Sequence, residues 1–229
     1  MSKKILFVLT NHALMGNTGE STGYHLAEAA RPYNLLQDAG YQIDFASPAG
    51  GKPPVDHFDL EDKDNLRFWE DKEVQGKLSA TKTPEMVDPA NYAAIYFAGG
   101  HGTMWDFPNN LALQELTAKI YESGGVVAAV CHGPAALVNV KLSDGSYLVD
   151  GKKVNSFTDE EERLAQKENV VPFLLESSLR NRGARFQNAE PGECCVIVDD
   201  RLITGQNPAS AKAIGQKIDE VLSRIPAAK

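Results

Sequence analysis

Apolar positions along the chain alternate between two rhythms. Residues 5–9, 92–97 and 126–130 are short, nearly unbroken apolar runs, the pattern of strands buried on both faces of a parallel sheet. Between them the period lengthens to that of helices: residues 24–39 carry Leu26, Ala30, Leu35 and Leu36 on one side and stop at Gly40, a natural C-cap, and 111–123 and 209–225 read the same way. Further strands are predicted at 41–46, 195–198 and 202–204, and helices near 160–167 and 171–181. Residues 147–149 and 154–157 flank Asp150-Gly151 and predict a hairpin. The polar stretch 47–89, with Pro48, Pro53, Pro54 and Pro84 and one helical segment near 65–78, reads as an insertion covering the sheet. Strand, helix and strand in alternation predict one α/β domain over residues 1–229, a mostly parallel central sheet flanked by helices.

Composition narrows the function classes. Acidic residues outnumber basic ones 31 to 23, and the net charge of -8 repels phosphate backbones and anionic lipid, so neither nucleic acid nor a membrane is an expected partner. The apolar run after Met1-Ser2-Lys3-Lys4 is too short for a signal sequence or a membrane span, which predicts a cytoplasmic protein. Three cysteines, two of them adjacent at Cys194 and Cys195, make no disulfide framework. The adjacent pair reads as strand residues facing opposite ways. Cys131 stands apart.

Cys131 directly follows the buried run 125–130 and precedes His132-Gly133-Pro134. Gly133 permits a sharp reversal, Pro134 suits a first helical turn, and small residues at Ala129 and Gly133 meet the steric demands of a nucleophile elbow. Such a turn presents the thiol at the carboxyl end of the sheet, with a helix N-terminus aimed at it, and both effects favour a thiolate. Glu28 is odd among Ala27, Ala29 and Ala30, and Pro32 cannot donate to its carbonyl, which predicts a kink. Gly99-Gly100-His101-Gly102 ends another strand without the spacing of a dinucleotide fingerprint. His12, His25, His57 and His101 show no metal-ligand spacing, and no metal or other cofactor is expected. Tyr24, Trp105 and Phe107 are candidates either for lining the crevice or for core packing.

Ala-Val-Cys-His-Gly-Pro-Ala (129–135), Phe-Ala-Gly-Gly-His-Gly (97–102) and Ala-Glu-Ala-Ala-Arg-Pro-Tyr (27–33) together resemble the ThiJ/PfpI superfamily, whose fold is flavodoxin-like and shared with class I glutamine amidotransferases. The similarity continues through Phe157-Thr158-Asp159 and Thr204-Gly205-Gln206-Asn207-Pro208, and within the superfamily it is greatest to the branch of heat-inducible chaperones and glutathione-independent glyoxalases (glyoxalase III). The resemblance implies that Cys131 is the nucleophile, that His132 is its base, held by an acidic residue matching Glu162 rather than Glu161, and that Glu28 is protonated and hydrogen-bonded to the sulfur. Backbone N-H groups of Gly100 and His132 would form the oxyanion hole. A homodimer is implied as well.

The reaction the resemblance implies is conversion of methylglyoxal or a related small 2-oxoaldehyde to a 2-hydroxy acid through a Cys131 hemithioacetal. Two other functions use the same features: a stress-induced holdase chaperone with the cysteine as redox sensor, and a deglycase or small amidase using the same nucleophile. A glutamine amidotransferase is disfavoured, because its catalytic histidine lies far downstream of the cysteine and no histidine follows His132.

Overall fold

The computed structural model describes residues 4–225. Its central sheet contains β1 (Lys4–Val8), β3 (Gln42–Ala46), β5 (Ala94–Phe97), β6 (Val126–Val130), β9 (Val196–Asp199) and β10 (Leu202–Gly205), in the order β3-β1-β5-β6-β10-β9. All neighbours run parallel except β9, which returns antiparallel to β10. The register pairs Val8 with Phe97, Phe97 with Ala129, and Val130 with Gly205. Four strand ends therefore open on the same side of the sheet, the usual place for a ligand crevice in such folds.

Alternation along each strand fills two cores. Leu6, Val8, Ile95, Phe97, Val127 and Ala129 pack beneath α5 (Leu111–Glu122) through Leu113, Leu116 and Ile120. Ile5, Phe7, Tyr96, Ala128 and Val130 face α1 (Leu26–Asp38) and α8 (Ala211–Arg224) through Leu26, Ala30, Tyr33, Ile214 and Ile218. The two helices pack closely, since a Cβ on Gly215 would stand 3.0 Å from Pro32 Cα. Helix α1 continues through Pro32 without a break, and the Glu28 carbonyl that Pro32 cannot serve accepts from the Tyr96 hydroxyl at 2.6 Å.

The 47–89 stretch forms β4 (Val55–Asp56), α2 (Lys63–Glu70) and α3 (Lys72–Leu78). It covers α1 and the β3 edge: Phe68 meets Tyr33 and Phe45 edge-on, Arg31 pairs with Asp62 at 2.7 Å, and Lys77 donates to the Ile43 carbonyl. The single helix predicted at 65–78 is two, because Asp71 is extended and its carboxylate caps α3 at the N-H groups of Glu73 and Val74. A two-residue strand β2 (Tyr24–His25) pairs with β4 and ties this cover to the start of α1.

The predicted hairpin at 147–157 does not form. Tyr147 bridges back to Lys141, Leu148 N-H donates to the Val140 carbonyl, and Leu148 and Val149 are buried. The partner segment β7 (Lys153–Val154) instead pairs in parallel with β8 (Arg185–Phe186). Helix α6 (Asp159–Leu164) starts on a capping box of Thr158 and Glu161. Helix α7 (Leu175–Asn181) begins later than its apolar pattern suggested, beyond Pro172, which disfavours helix in Val171 before it. Cys194 and Cys195 precede β9 rather than lying in it, one exposed and the other half-buried. Among the described residues no helix is long and apolar enough to cross a membrane.

Candidate active site

Strand β6 ends at Val130, and Cys131 takes the left-handed conformation with φ 59°, unusual for a residue with a Cβ. The surroundings hold it there: Cys131 N-H donates to Gly205 O at 2.9 Å, and Phe157 N-H donates to Cys131 O at 2.8 Å. Glycine is required on both sides of the turn. A Cβ on Gly133 would stand 2.4 Å from the Phe97 carbonyl, and one on Gly99 would stand 2.5 Å from Glu28 Oε2 and 2.7 Å from Val130 O. The chain then enters a 3-10 turn, Gly133–Leu137, with Pro134 in its first positions.

His132 lies beneath the sulfur. Its Nδ1 is 3.3 Å from Cys131 Sγ, and its Nε2 is 2.8 Å from Glu162 Oε2. Burial and the neighbouring His101 push the His132 pKa down to about 4, so the ring is neutral near pH 7, while hydrogen bonds from two histidines hold Glu162 ionised despite its burial, at about 2. An ionised carboxylate accepts only, so His132 carries its proton on Nε2 and turns the Nδ1 lone pair toward the thiol. Phe157 packs against the ring at 4.4 Å, and the Thr103 hydroxyl, 2.9 Å from the carbonyls of both Gly100 and His132, ties the two strand-end turns together. Glu161 points elsewhere: besides the cap, it accepts from Gly192 N-H and Asn207 Nδ2, both at 2.9 Å.

Glu28 approaches from α1 and is wholly buried. One carboxyl oxygen accepts from Gly99 N-H at 2.7 Å; the other is buried without a hydrogen-bond partner, and the carboxyl interacts with the Cys131 thiol. Burial raises its pKa to about 8, so Glu28 is a neutral acid near pH 7 with a proton to offer the sulfur.

The thiolate expected from the elbow is not the resting form. Burial raises the Cys131 pKa, an ionised Glu28 would raise it further at alkaline pH, and the His132 backbone N-H pulls the other way. The turn after the sulfur is a five-residue 3-10 segment rather than a full helix, so its dipole is small. The geometry therefore describes a thiol with a neutral base at 3.3 Å and a neutral acid across from it.

The sequence marks His101 as part of a glycine turn and as a histidine without metal-ligand spacing. Its Nε2 donates to Glu162 Oε1 at 2.8 Å and its ring lies 4.0 Å from that of His132, so one carboxylate aligns two imidazoles. No spacing rule joins residues 101, 132 and 162. The pairing exists because the ends of β5 and β6 are neighbours. The donor atoms of these three lie within 4.8 Å of one another, near enough for a metal ion, but each already satisfies another's hydrogen bonding. His25 and His57 stack at 4.4 Å beside this centre, with Asp56 against His57. Of the aromatics, Phe107 packs on Phe97 in the core, Trp105 stacks on His12, and Tyr24 lines a separate cavity.

The chain is similar to characterised proteins over almost all its length. It is 33% identical over 221 residues, 91% of this chain and 93% of the relative, to the glutathione-independent glyoxalase HSP31 of Saccharomyces cerevisiae. It is 32% identical to Glyoxalase 3 of Candida albicans, again over 91% and 93% of the two chains. The crystal structure of glyoxalase III from that organism superposes with a TM-score of 0.85 at 30% identity, covering 95% of this chain and 96% of that one. The Rapid Encystment Protein of Francisella tularensis superposes at 0.93 with 39% identity, covering 97% and 99%. The DJ-1/PfpI family pattern matches residues 21–220, from the segment before α1 to within α8, and the chain belongs to that family.

Proposed function

We propose that this protein is a glutathione-independent glyoxalase, an enzyme that converts methylglyoxal or a similar small 2-oxoaldehyde to a 2-hydroxy acid on Cys131. The observation that carries the reading is the line Cys131 Sγ, His132 Nδ1, His132 Nε2, Glu162 Oε2, with spacings of 3.3 and 2.8 Å, opposed by the neutral acid Glu28. Relatives named for this activity share about a third of their residues with the chain.

The chemistry needs only protons. His132 Nδ1 accepts the thiol proton as sulfur attacks the aldehyde carbon, and the new oxyanion takes a proton to give a hemithioacetal. The C1 proton is then removed and one is returned to C2 through an enediol, a task for His132 Nδ1 or the Glu28 carboxyl. That transfer leaves a thioester of the 2-hydroxy acid. Water adds to the thioester, the carboxylic acid departs and the thiol is restored. Backbone N-H groups of Gly100 and His132 are the proposed donors to the oxygen that gains charge. Glu162 holds the His132 tautomer and stabilises the transient imidazolium.

The test supplies methylglyoxal without glutathione and assays D-lactate. D-lactate from the wild type, lost in Cys131→Ser, supports the proposal; absence of product, or undiminished product from the variant, refutes it.

A further inference from the structure

His25 and His57 take no part in the chemistry proposed above, yet they stack face to face at its edge, with ring centroids 4.4 Å apart and 12° between the planes. The β2–β4 pair places them, since its register sets His25 against Asp56. Between the stack and the elbow stands Gly99: its carbonyl accepts from His25 N-H at 3.0 Å, its own N-H donates to Glu28, and a Cβ on it would stand 2.9 Å from Cys131 Cβ. His132 is near enough to disfavour a proton on His25, and Glu28 near enough to favour one on His57.

Each ring presents one unused nitrogen. His25 Nδ1 is closed to water, whereas its Nε2 is open and has no partner among the described residues. Burial, and then His57, hold the His25 ring neutral, with a pKa of about 3. His57 Nδ1 stands 3.3 Å from Asp56 Oδ1, which also accepts the His57 backbone N-H at 2.7 Å, so Nε2 of this exposed ring is the free atom. Asp56 raises the His57 pKa from its ordinary value, and Nε2 therefore exchanges between lone pair and N-H near neutrality. Residue 57 is held at φ 50°, a left-handed strain of the kind that recurs at ligand sites. A hydroxyl both donates and accepts, so it pairs with these nitrogens in every protonation state. An alkyl group leaves both unpaired, and a carboxylate or phosphate gains no counter-charge from a His25 ring that stays neutral. We propose, on the glyoxalase reading of Cys131, that the His25–His57 stack holds the tail of the bound substrate, and that the preferred substrates are 2-oxoaldehydes with hydroxyl groups beyond C2.

The test compares kcat/KM for hydroxypyruvaldehyde and methylglyoxal, which differ by one hydroxyl, assaying glycerate and lactate without glutathione. Wild type is expected to prefer hydroxypyruvaldehyde about tenfold, as hydrogen bonds to partly exposed groups allow. His25→Phe keeps a stacked ring without its nitrogens, and His57→Ala removes the exposed ring; each should cut the preference to about threefold or less, chiefly through KM. That ratio is unmoved by a general loss of fold or activity. His57→Asn, which tolerates the left-handed backbone and keeps a polar end, should recover part of it. In Cys131→Ser, where nothing is turned over, hydroxypyruvaldehyde should shift the 15N imidazole signals of both histidines. Formation of neither acid by the wild type ends the glyoxalase reading and this proposal together. Turnover of both substrates without the preference, a preference that both variants retain, or unmoved imidazole signals would overturn this proposal alone.

Discussion

Glu162→Gln isolates what one buried charge contributes to this site. The carboxylate accepts hydrogen bonds at 2.8 Å from His101 Nε2 and from His132 Nε2, and it is almost fully buried. Glutamine matches its shape but has only one accepting oxygen. If the amide NH2 faces His132, the ring must move its proton to Nδ1, and a donor then points at the sulfur where a base is needed. If the oxygen faces His132, the tautomer survives, but the imidazolium formed on accepting the thiol proton loses its counter-charge. A hydrogen bond to a charged group contributes about 1.5–3 kcal/mol, so either outcome should lower kcat about 10- to 150-fold. The assay is D-lactate formation from methylglyoxal across substrate concentrations, with circular dichroism and thermal melting to confirm the fold. KM should change far less than kcat, because Glu162 acts through His132 and does not touch substrate. A kcat within twofold of wild type in a folded variant would refute the orienting role.

Three further outcomes follow from the same geometry. Glu28 ionises at about 8 when buried, against about 4.5 ordinarily, so the native state favours its protonated form: the associated stability is complete below about pH 4.5 and is lost as pH rises through about 8, and turnover should fall over the same alkaline range. Glu28→Gln should flatten the stability change, measured by denaturant melts from pH 5 to 9, because the amide cannot ionise. Gly100→Ala places a Cβ 2.2 Å from the Gly23 carbonyl at φ 109°, and a loss of about 2–4 kcal/mol in chemical denaturation is expected, together with the activity. Glu161→Ala removes the capping box of α6 and the contacts to Gly192 and Asn207, which should cost about 1–2 kcal/mol of stability by thermal melting while loosening the helix that carries Glu162.

The parallel sheet was legible because its strands are unbroken apolar runs, and the elbow because Gly133 and Pro134 follow Cys131 directly in sequence. Physics local to the chain also marked Glu28: a carboxyl among alanines, four residues before a proline, is out of place on a solvated helix face. What the sequence concealed was long-range. His101 joins Glu162 across 61 positions only because two strand ends are adjacent, and no periodicity encodes that. The Tyr96 hydroxyl that serves the Glu28 carbonyl is likewise 68 residues away. The hairpin failed for a related reason. Asp150-Gly151 is a turn signal, but Leu148 and Val149 were claimed by the core and by residues 140–141, which outweighed pairing across the turn. The protonated resting thiol was not legible because the elbow and its Glu28 neighbour show in the sequence, whereas the burial of the sulfur, which outweighs the turn, does not.

Catalysis by this route requires a covalent bond between the Cys131 sulfur and the substrate. It is tested most directly by acid-quenching the enzyme during methylglyoxal turnover and measuring its intact mass, followed by peptide mapping. One substrate equivalent located on Cys131, appearing and disappearing with turnover and absent when Glu162→Gln slows its formation, is the predicted result. Steady D-lactate production from an enzyme that never carries the added mass, and that keeps its rate as Cys131→Ala, would contradict the account.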